Sequence, residues 1–351
     1  MKILITGGAG FIGQHLAERL VAQGHEVIAM DTLDEQVHRD PETAKEKFPG
    51  EVYLLDVADE SSFSALDDEG IEAIVHLAAE TGTSQSMYEQ DHYHRVNVGG
   101  TRNAAVAAKK WGVPLVSMSS RAVYGEGDPN VATSEDTPHR PLSVYGETKS
   151  RAETVAKECL NGAVPLTIIR PQNVIGPGQA LHNPYTGVLS AFLAKLKAHE
   201  PLTVYGTGEQ TRDFVHVKDL AELIEWSVLT PIQDPEQTRI LNCGSGIRIT
   251  LNDLAEFAAA ASPDGAVPIN HIDVKRAGDI DHALADLTRV RELGAPLPKW
   301  KPADAVKDFI LASWNEDPTD PSTWDKALDE LAEHGLLDGK DAKQVINTDN
   351  V

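Results

Sequence analysis

Cysteine is nearly missing: Cys159 and Cys243 are the only two in 351 residues, far apart and without CxxC spacing. Neither a disulfide scaffold nor a thiolate metal site is supported, and a reducing compartment is the default. Long hydrophobic runs are also lacking, since no apolar stretch reaches the roughly 18 residues that a membrane helix needs. The chain opens Met1-Lys2-Ile3-Leu4-Ile5 and runs directly into Gly7 and Gly8, which leaves no room for the apolar region of a signal peptide. The expectation is a soluble, cytoplasmic protein. Basic residues are scarce too: 31 Lys and Arg face 54 Asp and Glu, a net charge of −23. That field repels phosphate backbones and anionic headgroups, so nucleic acid and membrane surfaces are not expected partners. The same acidity is also what a well-solvated surface carries, and it has no catalytic meaning by itself.

What is present is ordinary globular composition, 41% hydrophobic and 24% charged, enough to bury a sizeable core. Short β-branched runs recur at Ile3–Ile5, Val27–Met30, Val52–Leu55, Ile74–Leu77, Leu115–Met118 and Leu166–Ile169. Helical patterns lie between them, at Phe11–Gln23, Arg95–Lys110 and Leu142–Leu160. Strand and helix in alternation predict right-handed crossovers and an α/β fold with a doubly wound parallel sheet of the Rossmann type. After about Pro171 Gly, Pro and Asn cluster and the helices shorten, to Ala221–Leu229 and Leu251–Ala261, which predicts a smaller C-terminal substrate lobe. The expected division is 1–175 for the first domain, 176–320 for the second lobe, and a tail over 321–351 with helical patterning around Leu328–Leu331 and a frayed end.

Behind the first strand stands Thr6-Gly7-Gly8-Ala9-Gly10-Phe11-Ile12-Gly13. The glycines suit a tight turn, a close approach of backbone amides to a pyrophosphate, and contact of the following helix with the sheet. That helix start offers unpaired N–H groups, at Phe11 and Ile12, and partial positive charge. Asp31 ends the next strand 18 residues after Gly13, where a carboxylate binds an adenosine ribose and repels a 2′-phosphate. The cofactor expected is NAD. Asp56, closing the third strand, is a candidate for the adenine edge, or equally a helix N-cap.

Tyr145 and Lys149 stand four apart on a helix, so phenol and ammonium share a face; a nearby cation is expected to lower the tyrosine pKa and make it an acid/base. Ser119-Ser120 ends the fifth strand at the sheet edge where ligands bind. His92-Tyr93-His94 lacks a partner at ligand spacing, and no metal is expected.

Taken together, Thr6–Gly13, His76-Leu77-Ala78-Ala79, Ser119–Gly125, Tyr145-Gly146-Glu147-Thr148-Lys149 and Arg170–Gly178 resemble the extended short-chain dehydrogenase/reductases, and within them the nucleotide-sugar epimerases and dehydratases. The resemblance covers about Met1 to Ala305. It implies catalytic roles for Tyr145, Lys149 and Ser120, and a cofactor set of Gly7, Gly10, Phe11, Ile12, Gly13, Asp31, Asp56, Val57, Leu77, Ala78, Ala79, Tyr145 and Lys149. Asn97 matches a helix asparagine of structural or proton-network type. Arg212 and Arg276 stand in contexts similar to the family's diphosphate clamp, Asn173 near the phosphate region, and Val204-Tyr205 where relatives cover the base. Glu80–Tyr88 and Asn183–Gly187 look similar to the dTDP-L-rhamnose 4-epimerase group, which would put Thr81 and Gln85 in the sugar pocket; helix-entry capping by Thr81 or Thr83 is the alternative. Dehydratase relatives carry an Asp-Glu pair where Arg121-Ala122 stands, so dehydration is not expected.

The implied activity is NAD-dependent C4 epimerisation of a nucleoside diphosphate hexose, such as dTDP-L-rhamnose, through a transient 4-keto sugar, in a homodimer joined by the Arg95–Lys110 and Leu142–Leu160 helices. UDP-glucose or UDP-glucuronate 4-epimerisation and net reduction of a sugar nucleotide remain open. A non-catalytic dinucleotide-binding sensor is the alternative of another class; such proteins commonly lack the tyrosine and lysine that this sequence retains.

Overall fold

The computed structural model describes residues 1–183, 187–316 and 330–340. The elements run β1 (Lys2–Thr6), α1 (Phe11–Ala22), β2 (Glu26–Asp31), α2 (Pro41–Lys47), β3 (Glu51–Leu54), α3 (Glu60–Ser64), β4 (Ala73–His76), α4 (Gln90–Tyr93), α5 (Gly100–Trp111), β5 (Leu115–Met118), α6 (Val144–Leu160) and β6 (Leu166–Pro171). Then come β7 (Asn173–Ile175), α7 (Val188–Lys197), β8 (Leu202–Tyr205), β9 (Thr211–His216), α8 (Val217–Leu229), β10 (Thr238–Cys243), β11 (Arg248–Thr250), α9 (Leu251–Ala261), β12 (Ile269–Ile272), β13 (Lys275–Arg276), α10 (Thr288–Glu292), α11 (Pro302–Ser313) and β14 (Leu337–Asp338).

Seven strands form one sheet in the order β10-β6-β5-β4-β1-β2-β3, every neighbouring pair parallel. The apolar runs make its central strands because both faces are covered: Ile3, Ile5, Ala29 and Val75 pack toward α1 and α8, Leu4, Ile28, Ile74 and Leu166 toward α5 and α6. The order reverses between β1 and β4, and the carboxyl ends of those two strands open a crevice.

The six apolar runs of the sequence all became strands. The seventh, β10, was not anticipated: it opens on Thr238 and Arg239, and its register comes from pairing with β6, 72 residues earlier at Thr238↔Leu166. The chain thus returns to the first sheet after residue 176, and α8 packs on α1. A second lobe has its own core of Phe192, Leu202, Val204, Phe214, Leu254 and Phe309. The Arg95–Lys110 pattern is helical, but His94–Gly99 forms a π-helical segment before α5. In the tail, β14 pairs antiparallel with β13 and Leu331 is buried, whereas Leu328 and 341–351 lie outside the described residues. No helix among the described residues is long and apolar enough to cross a membrane.

Candidate active site

A cleft of about 810 Å³ runs along the carboxyl edge of the sheet and between the lobes. One end is built from backbone. Gly7 has φ +66°, and a Cβ there would lie 2.8 Å from the Ala78 amide; a Cβ on Gly13 would meet the carbonyl oxygens of Gly8 and Gly7 at 2.4 and 2.6 Å. Gly13 therefore serves contact of α1 with its own glycine loop, where the sequence suggested contact with the sheet. α1 has no side-chain cap at Gly10 and no acid in its first turn, so its leading amides stay available to an anion. Asp31 Oδ2 and Oδ1 accept from the amides of Ala9 (3.1 Å) and Leu33 (2.9 Å), with spare acceptor capacity toward the cleft. Every residue expected to hold the cofactor, from Gly7, Gly10, Phe11, Ile12 and Gly13 through Asp31, Asp56, Val57, Leu77, Ala78 and Ala79 to Tyr145 and Lys149, lines this cleft. An uncapped helix start, a glycine cradle that a Cβ would fill, and a carboxylate at the second strand end fit a dinucleotide. Asp56 is no helix cap: Asp59 caps α3, while Asp56 accepts from the Ala58 amide and pairs with Arg95 at 2.8 Å.

The middle of the cleft carries the polar side chains. Ser143 caps α6 by accepting from the Gly146 amide, which sets Tyr145 and Lys149 on the buried face. Burial pushes the Tyr145 phenol up, and a hydrogen bond with Ser120 partly opposes it. This corrects the expected direction: Lys149 turns its ammonium to the Met118 carbonyl at 3.1 Å, and desolvation dominates at the phenol. Burial likewise lowers Lys149 to about 8, with Glu153 acting in the opposite sense. Beneath lies an ionic network. Arg170 Nε and Nη2 each donate to Glu153 at 2.7 Å, Nη1 donates to the Tyr124 hydroxyl (3.0 Å), and Ser119 donates to Glu153 at 2.6 Å. Burial pushes the Glu153 carboxyl up, but Arg170 holds it below the usual range. Asn97, on the π-helical segment, bonds both backbone groups of Glu80 and the Thr148 hydroxyl, a structural tie between the β4 exit and α6.

The other end is assembled from scattered loops. Thr81, Gln85, Ser120, Asn173 and Arg212 line the cleft. Gln85, however, spends its amide on Gln36 and Glu89 and accepts from Tyr93, which ties its loop to the segment after β2. Neither Thr81 nor Thr83 caps the following turn, whose N-cap is Ser84 without a side-chain bond. Val204 does not reach the cleft: β8 alternates, and its side chain faces the second core at 2% exposure. Tyr205 and Arg276 also stand outside the lining, with the guanidinium 5.6 Å from the ring centroid and bonded to Asp279 at 3.0 Å. Asp279 itself is in the lining. Pro184, Tyr185 and Thr186 lie outside the described residues. Sequence reasoning missed the 32–38 loop, Gln172, Gln179 and Arg121; among these only Arg121 carried a signal, as the departure from the dehydratase pair. Among the described residues no cluster of metal-ligating side chains occurs.

Comparison with known proteins supplies the family. Residues 3–244 match the model of the NAD dependent epimerase/dehydratase family. The chain is 36% identical to a dTDP-L-rhamnose 4-epimerase of Burkholderia thailandensis, over 89% of its length and 94% of the relative's. It is 30% identical to a UDP-N-acetyl-alpha-D-glucosaminuronate decarboxylase of Bacillus cytotoxicus, over 83% and 91%. Among solved structures, a UDP-glucose 4-epimerase of Thermus thermophilus in complex with NAD superposes with a TM-score of 0.79 at 26% identity, covering 90% of this chain and 100% of that one. With the glycine loop, Asp31 and the Ser120–Tyr145 pair in one cleft, this chain belongs to the NAD dependent epimerase/dehydratase family and is an enzyme that uses NAD.

Proposed function

We propose that the protein inverts C4 of a nucleoside diphosphate hexose, with a dTDP-6-deoxyhexose such as dTDP-L-rhamnose as the favoured substrate. The observation that carries the reading is that Ser120, Tyr145 and Lys149 line one cleft together with the glycine loop and Arg212. The 36% identity to a dTDP-L-rhamnose 4-epimerase supports the thymidine series.

Gly7–Gly13, Asp31 and the β4 exit would hold NAD, which would supply the means of taking hydride from C4 and giving it back. The chain's own residues handle the proton. Tyr145 takes it from the 4-hydroxyl, Ser120 bonds the same oxygen, and Lys149 supplies the positive charge that favours phenolate. After the 4-keto sugar turns its other face, Tyr145 returns the proton. The turn requires that the diphosphate stay gripped while the hexose moves, a task for the Arg212 fork with Asn173 beside it. Arg276 acts from behind the lining, through its bond to Asp279. A dehydratase would need an acid and a base where Arg121 and Ala122 stand. In this reading residues 1–175, completed by α8 and β10, serve as cofactor domain, the rest of 176–320 as substrate lobe and 321–351 as tail. The same reading includes a homodimer through α5 and α6, where Val106 of α5 is apolar and about half exposed.

Incubation with dTDP- and UDP-hexoses, followed by proton NMR of C4, tests the reading. Interconversion of C4 epimers without net consumption of NAD is expected. Stoichiometric NADH formation, or no change at C4 with any hexose, would defeat it.

A further inference from the structure

Arg121 is a buried cation whose chemistry is incomplete. It opens the single 3-10 turn after β5, Arg121–Tyr124, and is 9% exposed. One end of the guanidinium is fixed, Nη2 donating to the Gly125 carbonyl at 2.6 Å, but Nε is buried with no hydrogen-bond partner. The nearby carboxylate, Glu126, is spent on the amides of Asp281 (2.8 Å) and His282 (2.7 Å). Instead of an anion, the strongest charge acting on Arg121 is another cation, Arg212. Burial and that repulsion together lower Arg121 to about 10. A guanidinium needed only to close the turn would have no reason to leave a donor unpaired beside a like charge.

Both arginines line the cleft, and Arg212 is held rigid by its donations to the carbonyls of Thr211 (2.9 Å) and Ile280 (2.7 Å). Arg121 directly follows Ser120 in the chain, which puts it at the hexose end, whereas Arg212 neighbours Arg276, which stands outside the lining. We infer that Arg121 is a third phosphate-binding arginine, specific for the phosphate that bears the sugar, with Arg212 serving the diphosphate from the nucleoside side. An anion between the two relieves their repulsion. Because the hexose pivots on that phosphate, Arg121 would fix the pivot.

The inference rests on the proposed function, and the test separates the two. Binding of dTDP, UDP, dTMP and UMP to the NAD-loaded enzyme is measured by calorimetry for wild type, Arg121→Met and Arg121→Lys, with melting temperature as the check on folding. The Met variant is expected to lose at least about 10-fold in affinity for the diphosphates and less than about twofold for the monophosphates. The Lys variant, which keeps charge but not Nε, should fall between and covers the case in which the Met variant fails to fold. Equal losses for mono- and diphosphates, or none, would overturn the inference while leaving the proposed function standing. A wild type that binds none of the four nucleotides overturns both.

Discussion

The two ends of the cleft are made differently. The cofactor end consists of strand termini and one glycine loop, in which backbone does the binding and the register of the sheet fixes where each group stands. The sugar end consists of side chains from β7 and β9 and from the loops after β4, β5, β6, β7 and β13, brought together by packing of the second lobe. All the residues expected at the first end are found there, whereas at the second Val204 is in the core, Tyr205 and Arg276 stand back from the cleft, and Arg121 was unforeseen. Backbone sites travel with a local pattern; side-chain sites depend on where distant loops end up.

The largest expected effect sharpens the junction between the ends. Tyr145→Phe should lower kcat by about 10³-fold while leaving sugar-nucleotide affinity within about threefold, since it removes a proton-transfer group and little contact area. Steady-state kinetics with equilibrium binding checks this, and retained turnover would sink the acid/base assignment. Arg170→Met tests the support beneath both ends. Arg170 and Glu153 are 2% and 3% exposed, so removing the cation strands a buried carboxylate and should cost about 3–5 kcal/mol in denaturant unfolding. An unchanged midpoint would mean that the network contributes nothing.

Gly13→Val discriminates between the ends. Its Cβ would sit inside contact distance of two loop carbonyls, so NAD affinity should fall by about 100-fold or more, a loss of about 2.7 kcal/mol, in a fluorescence titration. If nucleotide binding at the far end fell equally, the two ends would not be separable. His76 belongs to the cofactor end. Thr101 donates to the Asn97 carbonyl, so its oxygen accepts from His76 Nε2 (3.1 Å) and Nδ1 accepts from Thr6 (2.8 Å), which describes a neutral ring. Full burial lowers its pKa to about 3. The unfolded chain then binds the extra proton below the ordinary value of 6.5, and stability should decline by up to about 1.4 kcal/mol per pH unit from there down to about 3. His76→Asn should flatten that part of the acid-unfolding profile; an unchanged slope would assign it to other groups. The smallest effect tests cofactor choice: Asp31→Ser should narrow the preference for NAD over NADP by about 10-fold, about 1.4 kcal/mol, in cofactor titrations. No change would place discrimination in the 32–38 loop.

Much of the fold was legible because the six recognised strands are continuous apolar runs that only a doubly covered sheet can hide. β10 was not, because Thr238, Arg239 and Ile240 carry no such signature and gain their place by pairing with β6. The same contrast explains the electrostatics. Spacing puts Tyr145 and Lys149 on one helix face, but spacing contains no desolvation, and burial reversed the expected effect on the phenol. At Gln85 the residue was located correctly, while its amide was already engaged by Gln36, a partner from another loop.

The sequence by itself determined the glycine loop, the carboxylate at the end of β2, the helix that pairs Tyr145 with Lys149, and the alternation that forces a parallel sheet. All of these follow from local geometry: dihedral freedom at glycine, the 3.6-residue helical turn, and apolar runs too short to hide except in a sheet. Tertiary structure alone decided which side chains are desolvated, which polar groups are already paired, and which charges stand next to one another. Arg121 and Arg212, 91 positions apart in the chain, share a cleft only because β9 and the loop after β13 fold back over the exit of β5, and no pattern along the chain encodes a meeting of that kind.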